Sequence, residues 1–453
     1  MKADEAKRLR EMDLAHVWHP FTQMKVYSDE RPLIIERGEG NYLVDVSGNR
    51  YFDGVSSLWA NLHGHGRPEI DAAVTGQLGR IAHSTLLGHA NVPSIELAGA
   101  LARIAPEGLN RVFYSDSGSE AMEIALKIAF AHWRHRGNPE RAKFVGTGEA
   151  YHGDTVGSVS MGGIDTFHEM FRPLLFETHR IPAPHCYRCP LGRSREECGL
   201  ACLKEAEKVI EEHASELAGV VVESTFMAAT GMIRQPEGWL SGVAAAAKRA
   251  GTLLIVDEVA VGFGRTGRMF GVEHEGVAPD IMAVAKGLSG GYLPLAATLA
   301  TDEVHSAFSG DFAERKIFYH GHTYTGNQLG CAAALASLGI FEREDVLGRV
   351  RQNAARFASR LDEMLGTHPH VGDIRMKGLF GGIELVKDRA TREAYPYESR
   401  TGHRVCLAAR ERGMFLRPLG DVIVLVPPLS SPPEELDALA VAVTRSVDEV
   451  TGS

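Results

Sequence analysis

An α/β fold built on a largely parallel sheet is predicted for the middle of this chain, and three observations predict it. Apolar runs of strand length alternate there with helix-length patterns. The runs are apolar on both faces, as strands covered by helices on either side must be. The helical patterns stop at glycine, the residue that most readily takes the left-handed turn after a helix.

The candidate strands are Arg111 to Tyr114, Lys143 to Thr147, Gly219 to Glu223, Thr252 to Asp257, Ile281 to Ala285 and Leu295 to Thr301. Helical patterns lie between them, including Glu120 to His135 before Gly137 and Trp239 to Ala250 before Gly251. The two ends of the chain read differently. Gly38-Glu39-Gly40-Asn41 and Ser47-Gly48-Asn49 punctuate hairpins near the N-terminus. Toward the C-terminus, a helix from Asp345 to Leu365 is followed by short strands at Gly378 to Leu385 and Val422 to Val426. The expected organisation is a large domain over residues 68–335, with residues 1–67 and 336–453 folding together as a smaller α+β domain. No repeat or low-complexity segment interrupts it.

A chain of 453 residues exceeds the usual size of one core, so division into domains is expected. Hydrophobic content of 44% and charged content of 23% are those of an ordinary globular protein. The net charge of −10, unrelieved by any basic cluster, argues against nucleic acid or an anionic membrane as partner. Met1 to Asp13 is charged and lacks a signal-peptide core, and no apolar run is long enough to span a bilayer. A cytoplasmic protein is therefore expected. Six cysteines in this length do not make a disulfide scaffold.

Chemistry concentrates at the strand ends. Thr252-Leu253-Leu254-Ile255-Val256 runs into Asp257-Glu258, and Ile281-Met282-Ala283-Val284-Ala285 runs into Lys286. An acid and an amine delivered to one sheet edge are what pyridoxal phosphate (PLP) needs: the amine condenses with its aldehyde, and the carboxylate keeps its ring nitrogen protonated. Tyr114 to Glu120 spans a strand-to-helix junction whose small residues, Gly118 and Ser119, let backbone N–H groups approach a phosphate. Ser117-x-x-Glu120 equally fits a capping box that needs no ligand. Tyr151, in Ala150-Tyr151-His152-Gly153, is placed to cover one face of a flat ring, and Val259 the other. His152, with His63, His65, His83 and His89, reads as a hydrogen-bonding turn residue. In the Gly-punctuated loop Phe318 to Asn327, the Thr323 hydroxyl can complete a phosphate cup.

These residues carry a resemblance. Asp257-Glu258, then Gly262-Phe263-Gly264-Arg265-Thr266-Gly267, Pro279-Asp280 and Lys286-Gly287, resembles the signature of class III PLP-dependent aminotransferases. The resemblance implies PLP-dependent transferase fold type I, whose large domain holds a mostly parallel seven-stranded sheet, and a homodimer with shared active sites. It implies that Lys286 carries the cofactor, Asp257 meets its pyridine nitrogen, Gly118 and Ser119 hold its phosphate, and Tyr151 stacks on its ring. Thr323 is implied to reach the phosphate from the neighbouring subunit. Lys286 then acts as the base and acid that moves the substrate proton.

Within the family, His16-Val17-Trp18-His19-Pro20-Phe21-Thr22-Gln23-Met24, Asp53 to Trp59, His63-Gly64-His65 and Leu416 to Ile423 are similar to the 7,8-diaminopelargonate synthases of biotin biosynthesis. Their acceptor, 8-amino-7-oxononanoate, has a carboxylate far from its ketone, for which a planar guanidinium is the natural clamp. Arg417 is the candidate, with a structural salt bridge to Asp421 as the alternative. Trp59, Tyr151, Gly321 and Lys286 complete the substrate contacts that the resemblance implies. The chain departs from the common pattern in having Phe21 for tyrosine and Leu58-Trp59 for paired tryptophans. Loss of that phenol leaves S-adenosylmethionine and lysine both open as amino donor. A class III enzyme acting on ω-amino acids or diamines is the alternative function, and a non-catalytic dimer of the same fold a third.

One motif stands outside this chemistry. Cys186-x-x-Cys189, Cys198 and Cys202 gather in the segment 182–203, beside His185. Their spacing is compatible with a structural zinc and equally with four free thiols.

Overall fold

The computed structural model describes residues 3–30 and 32–452. Its central sheet has seven strands: β1 (Arg111–Ser115), β2 (Lys143–Thr147), β3 (His179–Ile181), β4 (Leu217–Glu223), β5 (Leu253–Asp257), β6 (Ile281–Val284) and β7 (Ala296–Ala300). They lie in the order β1-β7-β6-β5-β4-β2-β3. Every pairing from β6 across to β3 is parallel. Only β7 is reversed, running antiparallel to both β6 and β1. The C-terminal ends of the other strands therefore share one edge of the sheet.

Alternation along each strand divides the core between the two faces. Val220, Val222, Leu254 and Val256 pack on one side with Trp239, Leu240 and Val243 of the helix Trp239–Arg249. Val221 and Ile255 pack on the other with Ala121, Ile124, Ala125 and Ile128 of the helix Gly118–His135. All residues of β4 and β5 are buried, which explains why these runs are apolar throughout rather than alternating. Burying each valine or isoleucine side chain contributes roughly 1.5–3 kcal/mol. Two polar clamps fix the second helix on the sheet: Thr298 Oγ1 donates to the Ala121 carbonyl at 2.7 Å, and Trp133 Nε1 to the Ala218 carbonyl at 2.8 Å. Gly137 and Gly251, at φ 85° and 59°, take the left-handed turn after each helix.

The chain ends meet in smaller sheets. Ile35–Glu39, Tyr42–Asp45 and Arg50–Asp53 form an antiparallel meander, to which Met414–Phe415 adds in parallel through Met414 opposite Phe52. Val371–Lys377, Phe380–Leu385, Val422–Leu425 and Pro418–Leu419 form another sheet. Several expected elements start later than their patterns suggest, two of them for a visible reason. Gly378, at φ 64°, is a turn residue whose missing Cβ leaves room for the Arg265 carbonyl, so the strand begins at Phe380. Asp345 is the N-cap of Val346–Leu365, its carboxylate accepting from Gly348 N at 3.2 Å. The edge strand β3 was not among the expected strands; its three residues include one buried side chain, too little to make an apolar run. No helix among the described residues is long and apolar enough to cross a membrane.

Arg265, inside the Gly-rich motif, ties these parts together. It is fully buried; Nη1 donates to the Pro427 carbonyl at 2.9 Å and Nη2 to the Asn61 carbonyl at 3.0 Å. Burial pushes its pKa down to about 9, with Asp53 pulling the other way. Arg265→Ala would strand two buried carbonyls and leave a void, at a cost on the order of 3 kcal/mol. A clearly lower urea midpoint is the expected result.

Candidate active site

The shared strand edge brings the predicted residues into one cleft of about 410 Å³, lined by Trp59, Gly118, Ser119, Tyr151, His152, Glu223, Asp257, Val259 and Lys286. A larger groove of about 950 Å³, lined by Arg10, Asp29, Tyr51, Arg404 and Glu449 among others, interleaves acids and bases and receives none of the motif residues. The smaller cleft is the one where chemistry converges.

Lys286 lies two residues past the end of β6 and adopts φ 45°, a left-handed conformation uncommon for a residue with a side chain. Its Nζ lies 5.4 Å from the centre of the Trp59 ring. Burial pushes the amine below the ordinary lysine range, and the charges of Asp257 and then Glu223 pull it partly back. An amine more easily deprotonated is a better nucleophile and a better base. Asp257 and Glu223 are in register on adjacent strands. Asp257 Oδ1 accepts from Val259 N at 2.9 Å, and Oδ2 from the His152 ring at 2.8 Å. Glu223 accepts from Tyr151 N at 3.3 Å and Ala228 N at 2.9 Å, and burial pushes its pKa up to about 7.

The helix N-terminus supports both readings of its motif. Ser117 and Glu120 form a complete capping box: Glu120 N donates to Ser117 Oγ at 3.3 Å, and Glu120 Oε2 accepts from Ser117 N at 2.9 Å. Gly118 and Ser119 follow in the first turn, where backbone N–H groups have no acceptor within the helix. A Cβ on Gly118 would come 2.5 Å from Val259 Cγ1, and one on Gly153 would come 2.4 Å from Ser119 Oγ. Larger residues at either position would fill the cradle. Tyr151 is half-buried, and its hydroxyl donates to Asp154 at 2.8 Å. Phe167 stands edge-on to Tyr151 at 6.2 Å and to Phe21 at 5.4 Å, so an aromatic wall extends from the cleft toward the N-terminal segment. An acid, an amine, an anion cradle and an aromatic platform on one edge fit a phosphorylated aromatic aldehyde.

Arg417 is exposed and close enough to Tyr151 for their charges to interact. Although its surface is open to solvent, surrounding protein atoms push its pKa below that of an ordinary arginine. It has no ion pair with Asp421, whose carboxylate accepts from Gly402 N at 2.8 Å instead. Gly321 and Thr323 are exposed and do not line this cleft.

The motif reading passed over two groups. His152, read as a turn residue, is buried against Asp257. Its partner is 105 positions away, and adjacency to Tyr151 at a strand end was the available signal. Glu258 is fully buried, accepting from Ser224 Oγ at 2.6 Å, Val272 N at 2.8 Å and Gly271 N at 3.0 Å. Burial pushes it from 4.5 up to about 7. The folded protein therefore keeps a proton that the unfolded chain releases, so this group favours folding below pH 4.5 and loses that contribution as pH rises through about 7. Glu258→Gln should narrow the difference between urea midpoints at pH 5 and pH 8 relative to the parent protein.

The zinc alternative finds no support among the described residues. Cys186, Cys189, Cys198 and Cys202 are free thiols around one small cavity with His185. A tetrahedral site with Zn–S of about 2.3 Å brings its sulfurs about 3.8 Å apart. Among the described residues, the sets of three ligand atoms within 4.8 Å of one another are His179, His213 and Glu216, and Asp116, Glu120 and His322; the cysteines are in neither. Burial pushes the Cys186 and Cys202 thiols up, Cys202 to about 11. Spacing had placed them near one another without aiming their sulfurs at a common point.

Comparison with known proteins matches this geometry. The sequence profile of aminotransferase class-III matches residues 24–447. The adenosylmethionine-8-amino-7-oxononanoate aminotransferase of Geobacter sulfurreducens is 52% identical over 99% of both chains. The crystal structure of the enzyme of that name from Methanocaldococcus jannaschii superposes with a TM-score of 0.93 at 48% identity, covering 98% of this chain and 99% of the other. An omega transaminase from Pseudomonas jessenii in complex with PMP gives a TM-score of 0.93 at 32% identity, covering 98% of each.

Proposed function

Because the chain belongs to the class-III aminotransferases, PLP-dependent enzymes of fold type I, we propose that it transfers an amino group from S-adenosylmethionine to 8-amino-7-oxononanoate in biotin biosynthesis. The observation that carries this reading is near-full-length identity of 49–55% to several enzymes of that name, joined to an exposed arginine, Arg417, close enough to Tyr151 for their charges to interact.

PLP supplies an electron sink that makes the donor's Cα–H bond acidic. The residues present are suited to hold it: Lys286 through the aldehyde, Asp257 at the ring nitrogen, Gly118 and Ser119 at the phosphate, and Tyr151 and Val259 on the two ring faces. Lys286 Nζ then takes the proton from the donor's Cα and later returns one to the acceptor carbon as the ketone becomes an amine. Trp59 and the aromatic wall exclude water and line the path of the seven-carbon tail. Arg417 clamps the distant carboxylate through two parallel hydrogen bonds. A second copy of the chain completes the site with Thr323 at the phosphate and Gly321 near the substrate. Leu87 and Tyr319, 76% and 73% exposed close to that loop, suit such a contact. The enzyme works in the cytoplasm.

The experiment is a donor screen with 8-amino-7-oxononanoate as acceptor. Turnover with S-adenosylmethionine is expected; turnover with lysine alone would reassign the donor, as the absence of a phenol at Phe21 allows. Activity only on β-alanine or putrescine would replace the proposal with an ω-amino acid or diamine aminotransferase. Arg417→Ala should raise KM for the keto acid by about tenfold to a hundredfold with a smaller change in kcat.

A further inference from the structure

We propose that His152 is a positioning residue for Asp257, acting through Nδ1 as the neutral tautomer with its proton on that nitrogen. The inference rests on the reading in which Asp257 faces the cofactor's ring nitrogen, and it assigns work to a side chain which that reading leaves idle. The side chain of His152 is completely buried, and Nδ1 stands 2.8 Å from Asp257 Oδ2. The other carboxylate oxygen is held by Val259 N at 2.9 Å. With one donor on each oxygen, the carboxylate plane cannot rotate, and the remaining lone pairs are aimed rather than left to diffuse over orientations.

The tautomer follows from the opposite side of the ring. Nε2 is buried and has no hydrogen-bond partner among the described residues. A proton there would be a buried donor with nothing to accept it. The low-cost arrangement is a bare Nε2 and a proton on Nδ1, shared with Asp257 as a charge-assisted hydrogen bond. The titratable groups facing His152 are Asp257, Glu223 and, more distantly, His168. Glu223, in register with Asp257, has its pKa pushed up by burial. The turn around His152 is also fixed. Tyr151 N is tied to Glu223, while Gly153, at φ 110°, packs its Cα face against Ser119, so no neighbouring residue can swing the imidazole away.

The two nitrogens can be tested separately in the holoenzyme. His152→Asn places an amide N–H where Nδ1 stands, His152→Gln places one near Nε2, and His152→Leu removes both. We would measure kcat, donor KM, and the pH midpoint of the bound cofactor's visible absorption. The expected result is a near-normal H152N. H152Q and H152L should lose about tenfold to a hundredfold in kcat with donor KM within about threefold, and their absorption midpoint should move by about half a pH unit or more. A near-normal H152Q beside an impaired H152N would overturn the proposal by assigning the work to Nε2. Equal impairment of all three with an unmoved midpoint would overturn it by making the histidine mere packing, and so would three variants like the parent. Should H152L fail to fold, the Asn and Gln pair decides. A parent enzyme with no visible cofactor band would overturn the cofactor reading and this inference together, whereas a normal parent band with unmoved variants overturns this inference alone.

Discussion

Lys286→Ala should lower turnover by at least about ten-thousandfold, because one side chain is asked both to hold the cofactor and to move the substrate's proton. Nothing else in the cleft can substitute. Asp257 and Glu223 are acids, His152 is engaged with Asp257, and Tyr151 has its hydroxyl on Asp154 and its pKa raised by burial. The structural cost should be small, since Lys286 closes no ion pair among the described residues and its removal relieves a buried amine. Borohydride reduction of the parent protein followed by peptide mapping should label the peptide containing Lys286, and the variant should show no labelled lysine. A different lysine labelled in the parent protein would contradict the assignment at its root.

Asp257→Asn should cost about a thousandfold or more in kcat, for two separable reasons. The first is loss of the negative charge facing the ring nitrogen. The second is local: an amide nitrogen in place of Oδ2 would meet the Nδ1–H of His152 donor to donor, forcing the histidine proton onto Nε2, which is buried without a partner. Asp257→Glu keeps the charge and displaces it, so a smaller loss than in the Asn variant is expected. Steady-state kinetics of both variants, with cofactor occupancy measured by absorbance, checks the ordering; near-normal turnover in D257N would refute the role.

What was legible in the sequence was whatever local pattern dictates. Asp257 and Lys286 could be read because a buried strand followed at once by a polar residue leaves that residue at a sheet edge. Gly118, Ser119, Tyr151 and Val259 follow from the same logic, and the structure gathers all of them around one cleft. Partnerships across the fold were not legible. The His152 to Asp257 bond joins the loop after β2 to the end of β5, and the anchoring of Arg265 on Asn61 and Pro427 depends on how the chain ends close over the sheet. At the cysteines spacing left zinc and free thiols both open, since it constrains backbone separation while metal binding depends on where sulfurs point. At Arg417 it left two options, and the carboxylate of Asp421 went to a backbone amide that no local pattern announces.

The reversal of β7 has a mechanical consequence. Because β7 runs back beside β6, with Ala297 opposite Val284, the connection that bears Lys286 is anchored at both ends in adjacent strands of one sheet. Trp59 and Arg417 come instead from segments tied to the peripheral sheets. The machinery that breaks and makes bonds is thus mounted separately from the surfaces that choose which molecules react. Selection, natural or in the laboratory, can remodel the rim while the amine stays where it is.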